Sequence, residues 1–176
     1  MVDLKKAIRT IDDFPVKGVH FRDISPLVED GQLLKATVDA LLDNIRDLSI
    51  DKIAAADARG FYFASAIATR LGIGFIPVRK KGKLPSPNKL SEEYDLEYGT
   101  ATIEINADAI RPGDKILIFD DLLATGGTAK AMINLVERAG GIVVGCEFVI
   151  DLVELGGREA LKGYIIRTIM EFTEDE

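Results

Sequence analysis

Residues 114–121, DKILIFDD, are apolar without a break from Ile116 to Phe119 and end on two carboxylates, Asp120 and Asp121. An apolar run with no polar alternation fits a strand covered on both faces, as in parallel sheets with helices packed above and below. The rest of the chain repeats the theme. Apolar segments at 51–57, 74–80, 142–151 and 164–170 are expected strands, and helical periodicity is expected over 60–72, 128–141 and a short piece at 157–163. Strand and helix alternate with short links, which predicts an α/β fold: an open, mainly parallel twisted sheet flanked by helices. From Asp30 the apolar positions 33, 34, 37, 38, 41, 42 and 45 form one face of a long helix. Leu4, Ala7, Ile8 and Ile11 also fall at helical spacing, and DFPVKGVHFRD after them reads as a loop broken by Pro15 and Gly18. Segments 93–99 and 100–106 alternate with period two around Gly99 and are expected to form an antiparallel ribbon. No repeat or linker divides the 176 residues, so one domain is expected, with residues 1–50 as an appendage near the strand ends.

Charge and rare residues narrow the function. Lys and Arg number 22 against 29 Asp and Glu, a net charge of −7, which argues against a general nucleic-acid or membrane binder. Cys146 is the sole cysteine, which fits a reducing compartment and a buried apolar role; the sole histidine, His20, rules out a multi-histidine metal site. No apolar stretch nears the roughly 20 residues of a membrane span, and the N-terminus lacks the apolar centre of a signal peptide. A cytoplasmic protein is expected.

The segment IFDDLLATGGTA, residues 118–129, joins the apolar strand to the next helix. In parallel α/β sheets ligands bind beyond the carboxyl ends of strands. Backbone N–H groups from Ala124 to Thr128, the hydroxyls of Thr125 and Thr128, and the positive end of a helix make a phosphate cradle, with Gly126 and Gly127 permitting close approach. The lysine of a Walker loop and the G-x-G-x-x-G of a dinucleotide site are both absent. Asp120 and Asp121 are acceptors suited to sugar hydroxyls. The ligand expected is a phosphorylated sugar with a vicinal diol.

This loop closely resembles the 5-phosphoribosyl-1-pyrophosphate loop of type I phosphoribosyltransferases, in the form carried by the adenine-specific members. The resemblance extends through FRDISPL (21–27), ARGF (58–61), VRKKGKLP (78–85) and EYDLEYG (93–99), and is loose after about residue 150 apart from LGGRE. It implies transfer of ribose 5-phosphate to N9 of adenine, giving AMP and pyrophosphate in purine salvage, with Mg²⁺ held mainly by substrate and water rather than by protein ligands. It implies a pyrophosphate loop at Asp57, Ala58, Arg59 and Gly60, with a cis peptide at Asp57–Ala58, and further contacts from Arg79, Lys80 and Lys83, partly across a homodimer. It implies an N-terminal hood in which Val19, His20, Phe21 and Arg22 surround adenine with Leu122 on its face. Residues 81–106 would form a flexible loop and ribbon that brings Glu97 as catalytic acid/base, with Tyr98 closing over the site. Family members acting on 6-oxopurines carry an aspartate where this chain has Ala124, which favours adenine. Another purine as acceptor, and a purine-responsive regulator without turnover, stay open as alternatives.

Overall fold

The computed structural model describes residues 3–96 and 99–173. Its centre is a seven-stranded sheet made of β3 (Lys52–Ala56), β4 (Gly74–Lys80), β5 (Lys89–Asp95), β6 (Thr100–Asn106), β7 (Lys115–Leu123), β8 (Ile142–Leu152) and β9 (Ile166–Phe172), in the order β5-β6-β4-β3-β7-β8-β9. Strands β4, β3, β7, β8 and β9 pair in parallel, while β6 joins β4 and β5 joins β6 antiparallel. The mainly parallel α/β class expected from the apolar runs is the class observed.

Helices cover both faces. Side chains alternate across β7, so Ile116 and Ile118 face one way and Leu117 and Phe119 the other. The first pair meets Met132, Ile133 and Val136 of α4 (Gly127–Arg138). The second meets Leu41 of α2 (Gly31–Asn44) and Phe63 and Ile67 of α3 (Gly60–Leu71). All of these are fully buried. The Asp30 carboxylate caps α2 by accepting from the amides of Gln32 and Leu33 at 2.8 and 2.9 Å. Helix α3 stops at Gly72, as its sequence suggests, in the left-handed conformation. Cys146 is buried on β8, and burial pushes its thiol up to about 12, which keeps it an inert apolar side chain.

The N-terminus departs from its helical spacing. Residues Lys5–Ala7 form one 3-10 turn; Arg9–Asp12 is then strand β1, paired antiparallel with β2 (His20–Asp23). The expected loop at DFPVKGVHFRD is thus largely a hairpin. Cross-strand partners override the weak helical pattern: Arg9 donates to Asp23 at 2.6 and 2.9 Å, Arg22 to Thr10 at 2.5 Å, and His20 Nδ1 lies 2.7 Å from Asp12. A short helix α1 (Ser25–Glu29), with Pro26 in its first turn, follows and was not visible as periodicity. The ribbon also starts earlier than its alternation suggests, at Lys89. Helix α5 (Gly157–Ala160) is a single turn beyond β8. None of the helices among the described residues is long and apolar enough to cross a membrane.

Candidate active site

Three adjoining cavities open at the carboxyl ends of β3 and β7. The first is the turn from β7 into α4, lined by Asp120, Asp121, Ala124 and residues 125–128. Strand β7 runs on to Leu123, two residues past the acids, so Asp120 and Asp121 belong to the strand and the cradle begins at Ala124. Gly126 has φ +85°, a conformation other residues rarely adopt, and turns the chain into α4. The first helical bond of α4 runs from the Lys130 amide to the Gly126 carbonyl, and the amides of a helix's first turn have no acceptor within the helix.

Glycine also makes room beneath this turn. A Cβ on Gly157 of α5 would stand 2.4 Å from the Ala124 carbonyl oxygen and 2.6 Å from a Leu123 methyl. Helix α5 is the platform of the cradle and is pinned by Arg158, which donates to Asp151 at 2.5 Å and to Thr168 at 2.9 Å. The LGGRE segment lies some thirty residues from the cradle, and its order alone did not point to this role.

The second cavity is lined by Asp57, Ala58, Arg59, Lys80, Tyr94, Asp120 and Asp121, among others. The Asp57–Ala58 peptide is cis. Arg59 sits where this cavity meets the first. Its Nε lies 2.9 Å from Asp121 Oδ2, and its guanidinium lies 5.0 Å from the centre of the Phe21 ring. Burial and the neighbouring charge of Asp121 hold the Asp120 carboxyl well above the usual carboxylate range. Burial also raises Asp121, an effect that Arg59 opposes. A ligand offering hydroxyls to these two acids would relieve the charge they are packed together to hold. Gly60 is buried directly behind them at the start of α3.

The basic segment divides. Lys80 lines the cavity, whereas Arg79, next to it on β4, turns to Asp57 with Nε 2.8 Å from the carboxylate. Alternation along a strand puts neighbours on opposite faces, and this separates the two. Lys83 is exposed and is absent from the residues lining the three cavities.

The third cavity, about 410 Å³, is the most apolar and is lined by Val19, His20, Phe21, Arg22, Leu122, Ala124, Leu152, Leu155 and Phe172, among others. Its size suits a small flat ligand. Leu122 and Ala124 form its border with the cradle. The Arg22 guanidinium is occupied by Thr10 and by Phe172, whose ring centre is 4.5 Å away, so Arg22 braces the wall. His20 and Val19 are exposed at the rim. Leu152, Leu155 and Phe172 were not singled out from the sequence, because they reach the cavity from strand ends distant in the chain. Glu97 and Tyr98 lie outside the described residues.

The ribbon of β5 and β6 lies over α4. Glu92 accepts from Arg138 at 2.6 Å and from Asn134 at 2.8 Å, and the Thr128 hydroxyl is 3.2 Å from the Tyr94 hydroxyl. Tyr94, absent from the residues singled out by motif, therefore touches the cradle itself.

Comparison with known proteins fits this arrangement. Residues 27–163 match the family model described as a phosphoribosyl transferase domain. The chain is 48% identical over 171 residues to adenine phosphoribosyltransferase of Clostridium botulinum (strain Loch Maree / Type A3), covering 97% of this chain and 99% of that protein. It is 50% identical to that of Pseudothermotoga lettingae, covering 97% and 100%. Among solved structures, the adenine phosphoribosyltransferase of Thermoanaerobacter pseudethanolicus superposes with a TM-score of 0.94 at 47% identity, over 97% and 98% of the two chains. The Saccharomyces cerevisiae enzyme, complexed with an imino-altritol bisphosphate and adenine, gives 0.88 at 36%, over 94% and 96%. With this likeness running nearly end to end, the chain belongs to the phosphoribosyl transferase domain family, among its adenine phosphoribosyltransferases.

Proposed function

We propose that the chain transfers the ribose 5-phosphate of 5-phosphoribosyl-1-pyrophosphate to N9 of adenine, releasing pyrophosphate and forming AMP. The observation that carries this reading is the continuity of the three cavities across Asp120–Thr128. The phosphate cradle shares Asp120 and Asp121 with the second cavity and Leu122 and Ala124 with the apolar slot, so compartments suited to phosphate, ribose and base adjoin one another along this one segment. The yeast relative was solved in complex with an imino-altritol bisphosphate and adenine, a bisphosphorylated imino sugar and a purine base.

In this reading the amides of residues 124–128 and the hydroxyls of Thr125 and Thr128 bind the 5-phosphate. Asp120 and Asp121 fix the ribose hydroxyls. Arg59, with the backbone of residues 57–60, and Lys80 hold the departing pyrophosphate, where charge-assisted bonds strengthen as negative charge builds. Arg79 supports the loop through Asp57, and Lys83 contributes from outside the cavity. Positive charge grows on the sugar ring as the bond to pyrophosphate lengthens. The β5–β6 ribbon excludes water and brings Glu97 to exchange a proton at the purine, with Tyr98 closing over the sugar. Val19, His20, Phe21, Arg22 and Leu122 enclose the base.

The donor set suits Mg²⁺ in a substrate-held form. The acids at the ribose position, Asp120 and Asp121, would face an ion held mainly by the substrate and by water. Bound with the sugar pyrophosphate, the ion would neutralise leaving-group charge. A homodimer acting in the cytoplasm completes the proposal; light scattering on the purified protein tests the first point.

Base preference tests the function. Ala124, at the border of cradle and base slot, has no group to exchange a proton with a 6-oxopurine. Backbone groups that match the 6-amino group and N1 of adenine would be left unpaired by hypoxanthine. The kcat/KM for adenine is expected to exceed those for hypoxanthine, guanine and xanthine by on the order of 10³-fold or more. A preference for any 6-oxopurine would refute the assignment of the base. Binding of the sugar pyrophosphate with no turnover of any purine would favour the regulator.

A further inference from the structure

The geometry points to Tyr94 as a positioning residue that acts on the 5-phosphate through the hydroxyl of Thr128; this rests on the cradle being the phosphate site. The two hydroxyl oxygens are 3.2 Å apart, and the Tyr94 ring packs 3.6 Å from where a Cβ on Gly127 would stand. Tyr94 lies on β5, whose neighbouring Glu92 is held to α4 by Arg138 and Asn134. The ribbon therefore presents the phenol to the cradle at a fixed height.

A hydroxyl carries one proton and two lone pairs, so this contact works in either direction. With the cradle vacant, Thr128 is free to donate to Tyr94. A phosphate oxygen in the cradle is a far stronger acceptor and claims the Thr128 proton. The Thr128 oxygen then offers its lone pair to Tyr94, which becomes the donor. The result is a chain running from the Tyr94 hydroxyl to the Thr128 hydroxyl to phosphate, in which each bond polarises the next. No covalent bond is made or broken; only the two hydroxyl protons rotate. The relay binds the ribbon more firmly when the phosphate is present. It thus links occupancy of the cradle to the segment that carries Glu97 three residues further on.

Calorimetric titration of wild type, Tyr94→Phe, Thr128→Val and the double variant with AMP and with adenine tests the relay. Tyr94→Phe keeps the ring and removes only the hydroxyl. It is expected to weaken AMP by roughly 3- to 10-fold, the worth of one hydrogen bond, and to leave adenine unchanged. In the Thr128→Val background the same substitution is expected to have no further effect, because the middle member of the chain is gone. Equal weakening of AMP and adenine would mean that Tyr94 merely supports the ribbon, and would overturn the relay. So would a Tyr94→Phe effect that persists in Thr128→Val. If wild type bound adenine but not AMP, the phosphate reading of the cradle would fall and the relay with it, an outcome distinct from both.

Discussion

Replacing Gly157 by alanine is expected to raise KM for 5-phosphoribosyl-1-pyrophosphate by on the order of 10- to 100-fold, while adenine still binds. The added methyl would lie 2.4 Å from the Ala124 carbonyl oxygen and 2.6–2.7 Å from Leu123 side-chain atoms. No real contact is so short, so either α5 or the cradle must move. Helix α5 resists, because Arg158 ties it to Asp151 on β8 and to Thr168 and Glu171 on β9. Ala124 opens the cradle, so the displacement falls on the amides that hold the phosphate. Overpacking of this kind costs about 1–3 kcal/mol of stability and lowers Tm by roughly 2–10 °C. Gly156→Ala is the matched control. Gly156 has φ +74°, so the backbone is strained by substitution, yet nothing lies within 4 Å of an added Cβ. That variant is expected to lose stability and keep its KM. Steady-state kinetics with both variants decides the matter, and a wild-type KM in Gly157→Ala would show that the cradle does not depend on its platform.

The contrast between cradle and platform explains what could be read in advance. The cradle is one contiguous segment, so its chemistry is visible in residue order: two acids, then Thr, Gly, Gly, Thr. The apolar run Ile116–Phe119 likewise carries its own message, because a strand buried on both faces leaves no polar alternation. The apolar face of α2 was legible for the same reason, because its positions from Leu33 to Ile45 lie in one stretch. Elsewhere the deciding contacts come from distant segments. Strand β1 exists because Arg9, Thr10 and Asp12 find partners on β2, and no helical count of Leu4, Ala7, Ile8 and Ile11 contains that information. The Arg59 contacts to Asp121 and Phe21, the pairing of Tyr94 with Thr128, and the turning of Arg79 toward Asp57 while Lys80 faces the cavity are all of this kind. Motif resemblance named Arg79 and Lys80 together, and the pleat of β4 set them apart.

The largest effect on stability is expected at a residue outside the site. Glu147 on β8 is fully buried, and among the described residues neither of its carboxyl oxygens has a partner within hydrogen-bond geometry, the nearby Asn44 amide included. Burial pushes it from its ordinary 4.5 up to about 8, despite the opposing pull of the Asn44 amide and the Arg167 charge. Arg167, opposite Glu147 on β9, is itself committed to the Asn44 carbonyl at 2.5 Å and to Asp47 at 2.8 Å, which leaves Glu147 without a close counter-charge. Folded protein thus keeps this proton at neutral pH, whereas the unfolded chain releases it above about pH 4.5. Between those values the native state binds more protons than the unfolded state, so stability falls as pH rises from 4.5 toward 8 and levels off beyond. An interval of this width corresponds to about 4–5 kcal/mol as an upper bound. Glu147→Gln replaces the protonated acid by a neutral group of the same shape. Near pH 5 the variant should match wild type, and at pH 8.5 it should exceed it by a few kcal/mol. Asp120 and Asp121 are also raised by burial and tilt the wild-type curve in the same sense. They are unchanged in the variant, so the difference between the two urea-unfolding curves isolates Glu147. Curves that stay parallel from pH 5 to 8.5 would mean that Glu147 gains a counter-charge or water in solution and ionises at little cost.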